Sequence, residues 1–272
     1  MLDLYKRIWR ITGRAQVLLI VLSLVIAGLA AVPLKFQKEI INGLTGAMNG
    51  QTLLMLGAGY LGVLLLRNAL KFALQYKSTI VGEGIVRLIR TRIYNEKPKG
   101  ADRGTIAEMI ASEAEEVGRF AGGAMASPLL QLGTLVSVVG YIAINQPFLA
   151  LFMIAVVAPQ AMIVAGVQQR INERIANRVK VLRRAISRIT ANDLETTSHQ
   201  TVLDDFDEIY ETRRKINLFK CSVRFAMNAI TALGAAGLLV LGGFLVISGR
   251  TDVGTVVAAL SGLTRMNEPW RE

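Results

Sequence analysis

Three groups of residues in this 272-residue chain have types and spacings that could do chemistry. Gly57-Ala-Gly59-Tyr-Leu-Gly62 is a GxGxxG, the pattern that brings a backbone against a pyrophosphate at a helix start. That use needs a strand before the glycines. Here they sit inside an uncharged run of 27 residues, Ile40 to Leu66, where small residues serve close helix packing instead. Asp204, Asp205, Asp207 and Glu208 could supply general acid–base carboxylates for a membrane enzyme with its site in a loop. Arg213, Arg214 and Lys215 follow them, so a solvated acidic helix face balanced by basic neighbours is the simpler reading. His199 and Cys221 are the chain's one histidine and one cysteine, too few for a zinc site. His199 reads as a surface residue on a loop helix, and Cys221 has no intrachain disulfide partner. The sequence contains no G-x-x-x-x-G-K-[ST] phosphate loop.

The elements that must position such residues are set by hydrophobicity. The chain is 52% hydrophobic, above the usual share for a soluble domain. Uncharged runs cover Ala15 to Leu34, Ile40 to Leu66, Phe120 to Gln169 and Phe225 to Gly249. About 20 apolar residues cross a bilayer core, and the 50-residue third run holds two spans, so five fit. Val253 to Thr264 is a shorter run, read as the start of a sixth. The expected spans are about 15–34, 52–76, 124–144, 147–168, 225–248 and an incomplete 253–272, with cytoplasmic loops 77–119 and 170–224. A cleaved signal peptide is the alternative for the first run, but 20 uncharged residues exceed an apolar signal core.

The net charge of +11 fits that topology. Of the 31 Lys and Arg residues, 28 fall at the amino terminus, in the two long loops or past the last span. Only Lys35, Lys38 and Arg250 fall in the short connections. This is the positive-inside pattern, with a cytoplasmic amino terminus, and it leaves nucleic acid unneeded as a partner. The spans are read as lacking ionisable side chains, which argues against an ion-coupled pump.

Ile171, Ile175, Val179, Leu182 and Ile186 recur at intervals of 3 and 4, and no proline interrupts 160–268. The spacing predicts a helix from Gln160 to about Thr190, longer than a bilayer crossing and so extending into water. A surface-lying amphipathic helix is the alternative. In the first loop, Thr105-x-x-Glu108 and Ser112-x-x-Glu115 are capping boxes, and the doubled signal predicts a bend or a new helix near residue 112. Ile106, Met109, Ile110, Ala114 and Val117 form its expected apolar face. Glu108, Ser112, Glu115, Glu116 and Arg119 form the polar one. Asn192-x-x-Glu195 repeats the device in the second loop.

Three stretches resemble the membrane domain of ABC exporters with six spans, the type I exporter fold. "RGTIAEMIASEAEEVGRF" is similar to the family's "TGELLSRLTNDVEAVRRF" at Gly104, Glu115, Val117, Arg119 and Phe120. "LETTSHQTVLDDF" resembles "xETLSGIRTVKAF" at Glu195, Thr196, Ser198 and Phe206. "GGFLVISGRTDVGTVVAALSGLTRMNEP" resembles the family's Gly-rich connection at Gly242, Gly243, Gly249, Gly254, Val257, Ala258 and Pro269. The approach to the first loop, "NEKPKGADRG", is shorter than the family's. His199 stands where the family has Gly.

The resemblance implies an all-α membrane protein whose two long loops end in coupling helices that dock on ATP-binding domains. By position, the first takes Ser112, Glu113, Ala114, Glu115 and Glu116, and the second Asp193, Glu195, Thr196 and Ser198. It implies no catalysis and no cofactor in this chain, with ATP and Mg²⁺ on a partner ATPase domain or subunit. The other partners are a second membrane half and membrane lipid, and the expected location is a bacterial inner membrane. A passive channel or scaffold, a truncated fragment, and the membrane enzyme remain the alternative readings.

Overall fold

The computed structural model describes residues 2–46, 48–96, 103–190 and 199–266, and every element among them is helical. The chain forms α1 (Leu2–Gly28), α2 (Val32–Thr45), α3 (Gly50–Glu96) and α4 (Arg103–Glu108). A π-helical turn (Met109–Glu113) leads into α5 (Ala114–Gly123). Then come α6 (Ala126–Asn145), α7 (Pro147–Thr190), α8 (His199–Ile247) and α9 (Val253–Met266). Five stretches are long and apolar enough to cross a membrane. α9, at 14 residues, is a shorter apolar helix. The protein is therefore an all-α, multi-pass membrane protein.

Helix continuity follows the sequence. α3, α7 and α8 have 47, 44 and 49 residues, more than twice what a crossing needs. α7 ends at Thr190, where the 3-and-4 spacing of its apolar residues stops. The first crossing departs from expectation. Lys35 and Lys38 do not lie in a loop but on α2, which runs to Thr45. Pro33 is the cause of the break at Leu29–Ala31. It cannot donate a backbone bond, so it starts a new helix in the first turn.

The chain divides into two compact units. The first comprises residues 1–78, 124–161 and 226–272. There α1 packs on α6, and α2 and α6 on α9. Its core holds Leu34, Val138, Ile142, Leu149, Met153, Leu238, Ala258, Ala259 and Leu263. In lipid, helices gain little from leaving an apolar solvent, so association depends on close van der Waals packing. Small residues provide it. A methyl group on Gly262 would sit 2.9 Å from Val138, and one on Gly237 would sit 2.7 Å from Phe152. Within the GxGxxG, only Gly59 is such a contact, 2.8 Å from Phe36 of α2, while Gly57 and Gly62 face open space.

The second unit comprises residues 79–123 and 162–225. The later part of α3 runs antiparallel to α4, the π turn and α5. A methyl on Gly82 would lie 2.8 Å from the Gly118 carbonyl oxygen, and one on Gly118 equally close to that of Gly82.

Candidate functional site

The first loop's candidate residues are set by the π turn. Arg90 of α3 donates from Nε to the Ile110 carbonyl at 2.8 Å and from Nη2 to that of Ala111 at 3.5 Å. A π turn disturbs the regular backbone ladder, and the guanidinium satisfies carbonyls left there. The bend near residue 112 is thus a π turn rather than a new cap. Thr105 and Ser112 lie inside helical segments, not before them.

The buried face departs from the expected one on both sides of the π turn. Glu108, expected on the polar face, is 6% exposed, and Val117, expected on the apolar face, is 41% exposed. The buried face instead runs Gly104, Glu108, Ala114, Gly118 and Ala121. Of the five expected contact residues, Ser112, Glu115 and Glu116 are exposed, Glu113 is half-buried and Ala114 is buried. Glu115 pairs with Arg119 at 3.9 Å. Glu116 lines a cleft of about 860 Å³ together with Tyr210, Arg213, Arg214 and Lys220 of α8. Gly82 lies opposite Gly118 and Arg90 opposite Ile110, so α3 and the segment 103–123 are antiparallel limbs. Ser112–Glu116 therefore lie on the returning limb. The second set, Asp193, Glu195, Thr196 and Ser198, lies outside the described residues, as does Pro269. His199 begins α8, and Asp204, Asp207 and Glu208 on the same helix are exposed while Asp205 is buried.

A second polar site closes the first unit at its short connections. Lys38 Nζ donates to Asn145 Oδ1 at 2.7 Å and pairs with Asp252 Oδ2 at 3.4 Å. Asn42 Nδ2 donates to Asp252 Oδ1 at 2.9 Å, while its own Oδ1 accepts from the Gly254 backbone N–H at 2.8 Å. Asp252 caps α9, accepting from the Thr255 backbone N–H at 2.6 Å and its hydroxyl at 2.8 Å. This clasp joins α2, the α6–α7 corner and the start of α9. It also explains one glycine of the quoted Gly-rich stretch: a side chain on Gly254 would run into the Lys38 carbonyl and Asn42. Burial acts to raise the pKa of Asp252. The hydrogen bonds from Asn42 and Thr255 and the Lys38 charge outweigh it and hold the carboxyl below its ordinary value.

Polar groups also occur inside the spans, which corrects the reading that no ionisable side chain lies there. Arg67 falls within 52–76 and is 6% exposed. Arg265, expected past the last span, is in the last turn of α9 and donates from Nη1 to the Ala30 carbonyl at 3.2 Å. It thereby satisfies a backbone carbonyl left by the α1–α2 break. Arg265→Ala is expected to cost about 1–3 kcal/mol by stranding that carbonyl, and Arg265→Lys less. Thermal unfolding in detergent checks this, and an unchanged midpoint in the alanine variant would remove the role. Gln160 is fully buried and donates to Thr231 Oγ1 at 3.2 Å. No titratable cluster suited to a metal occurs among the described residues.

A family model described as the ABC transporter transmembrane region matches residues 17–270. No curated protein matches the chain.

Proposed function

We propose that this chain, which belongs to the family of ABC transporter transmembrane regions, is the translocating half of an exporter driven by a partner ATPase. The observation that carries this reading is the continuity of α3, α7 and α8 through stretches far longer than a crossing. A stiff helix passes a push at its polar end to its apolar end, whereas a flexible loop would absorb it. In this reading ATP and Mg²⁺ bind the ATPase domain or subunit, and this chain performs no catalysis. Two membrane halves, in a homodimer or heterodimer, alternate between states open to either side, as ATP binding shifts their populations. The amino terminus and long loops face the cytoplasm, in a bacterial inner membrane.

The ATPase would dock on the exposed Ser112, Glu115 and Glu116 of the first loop, with Ala114 packed beneath them and Glu113 at the edge. Asp193, Glu195, Thr196 and Ser198 would serve in the second. Neutralising Glu113 or Glu195 is expected to weaken ATPase-subunit binding by about 1 kcal/mol, roughly fivefold, as for an exposed charge pair. Substrate binding should be spared. The test is co-reconstitution with the ATPase subunit, titrating ATP-dependent transport against subunit concentration. Lost substrate binding with an unaltered titration would refute the docking assignment. No ATP dependence at all would favour the channel or scaffold reading.

A further inference from the structure

The ending of α8 builds a site that the transport reading does not use. Gly249, at φ +67°, leaves the helix in the left-handed region that glycine enters without strain. Its N–H donates to the Val246 carbonyl at 2.9 Å, and the next N–H, of Arg250, reaches back to that of Leu245 at 2.9 Å. This ending characteristically sets the second residue past the helix over the residue five before it. Arg250 is accordingly placed with Leu245 at the rim of a groove of about 360 Å³.

The floor of the groove is apolar. Phe148, Leu151, Phe152 and Ala155 come from one face of α7, at the i, i+3, i+4, i+7 spacing, and Leu241 joins Leu245 from α8. The groove therefore pairs an apolar trough along two membrane-crossing helices with a single cation at its end. That cation is available. Asp252, the acid nearest in sequence, is already engaged by Lys38, Asn42 and Thr255. Arg250 has no hydrogen-bond or ion-pair partner for its guanidinium among the described residues. It is also the only basic residue of the connection 248–252.

We propose that this groove holds an anionic phospholipid of the leaflet at the short-connection side, one acyl chain along α7 and α8 and its phosphate on Arg250. A guanidinium matches a phosphate by paired N–H donors, and the trough supplies the apolar surface that a chain needs. A zwitterionic lipid would fill the same trough but gain less at the rim, since its own ammonium competes for the phosphate. The site thus selects by headgroup charge, not by chain.

The test uses the full chain reconstituted in nanodiscs, with the immobilised fraction of spin-labelled phosphatidylglycerol measured against labelled phosphatidylcholine. Transport is not the readout, so the outcome is independent of the proposed exporter role. The wild type is expected to prefer phosphatidylglycerol about fivefold, the scale of one cationic side chain at an anionic surface. Arg250→Gln should abolish the preference while leaving phosphatidylcholine binding unchanged. Gly249→Val, which cannot adopt the left-handed turn without strain, should do the same by moving Arg250. Ala155→Trp should fill the trough and remove immobilised lipid of both kinds. A preference that survives Arg250→Gln overturns the proposal. So does a disulfide between Ala155→Cys copies, which would show a second chain occupying the groove, or displacement of the labelled lipid by free fatty acid alone.

Discussion

On the proposed exporter reading, Gly118→Leu is expected to lower ATP-driven transport at least tenfold while substrate binding persists. A side chain at this position meets the Gly82 carbonyl oxygen 2.8 Å away and the Val86 side chain closer still. The carbonyl belongs to the α3 backbone and cannot rotate aside, so the two limbs of the first loop must separate. Overpacking of this kind costs about 1–3 kcal/mol, occasionally more. Separation also pulls Ile110 and Ala111 from Arg90, which holds the π turn by their carbonyls. If the loop transmits ATPase motion, a splayed pair transmits little of it. Gly84→Ala is the control, two residues along the same helix. A methyl there meets nothing within 4 Å, and alanine favours the helix by about 1 kcal/mol. It should leave transport intact and raise the unfolding temperature. Wild-type transport in Gly118→Leu, or an equal loss in Gly84→Ala, would refute the role assigned to the limb contact.

The same glycine shows how far sequence reading reaches. Gly118 with Gly122 is legible as a small-residue packing pattern, but its partner is not, because Gly82 lies 36 residues earlier and nothing local names it. Helix type and extent follow from local periodicity, which is why Ile171 to Ile186 foretell a helix ending at Thr190. The faces of the first loop do not. The doubled capping box marks where the helix is irregular, but the additional residue in the π turn shifts the face beyond it and leaves Val117 exposed, while Glu108, before the turn, is buried against the pattern. A 3.6-residue pattern counted straight across an insertion must assign the wrong side beyond it.

Arg67 and Arg265 were hidden for a different reason. Charge counting treats Arg265 as the end of a span. The structure gives it a backbone acceptor, Ala30, created by a proline more than 230 residues earlier in the chain. The family's Gly-rich connection resolves into separate physical tasks. Gly242 admits Val256, Gly249 supplies the left-handed turn, and Gly254 lets α9 approach α2. Its Gly243 meets nothing within 4 Å, and the structure offers no contact that requires it.

Asp252→Ala is expected to open the short-connection end of the bundle, because three dependencies meet on that one carboxylate. Its loss removes the cap of α9, worth about 1 kcal/mol. It removes the acceptor of Asn42, worth about another, and leaves the Lys38 ammonium with Asn145 alone. Together, about 2 kcal/mol would raise the share of molecules open at that end by roughly thirtyfold. Spin labels at Asn49 and Ser248, both exposed, would report the separation. Acid should imitate the mutation. The carboxyl is held below its ordinary pKa, so its contribution is complete above the ordinary carboxylate range and fades as pH falls through the depressed value. Lys38 faces it from α2, at 3.4 Å. Glu39 of α2 and Tyr141 of α6 are the other ionisable side chains at this end. Asp252→Asn keeps an acceptor for Thr255 but not the charge, so it should open the end partway and make it insensitive to acid. An unchanged label distance in Asp252→Ala at neutral pH, or a wild type that loosens on raising pH instead of lowering it, would show that the clasp does not hold the end closed.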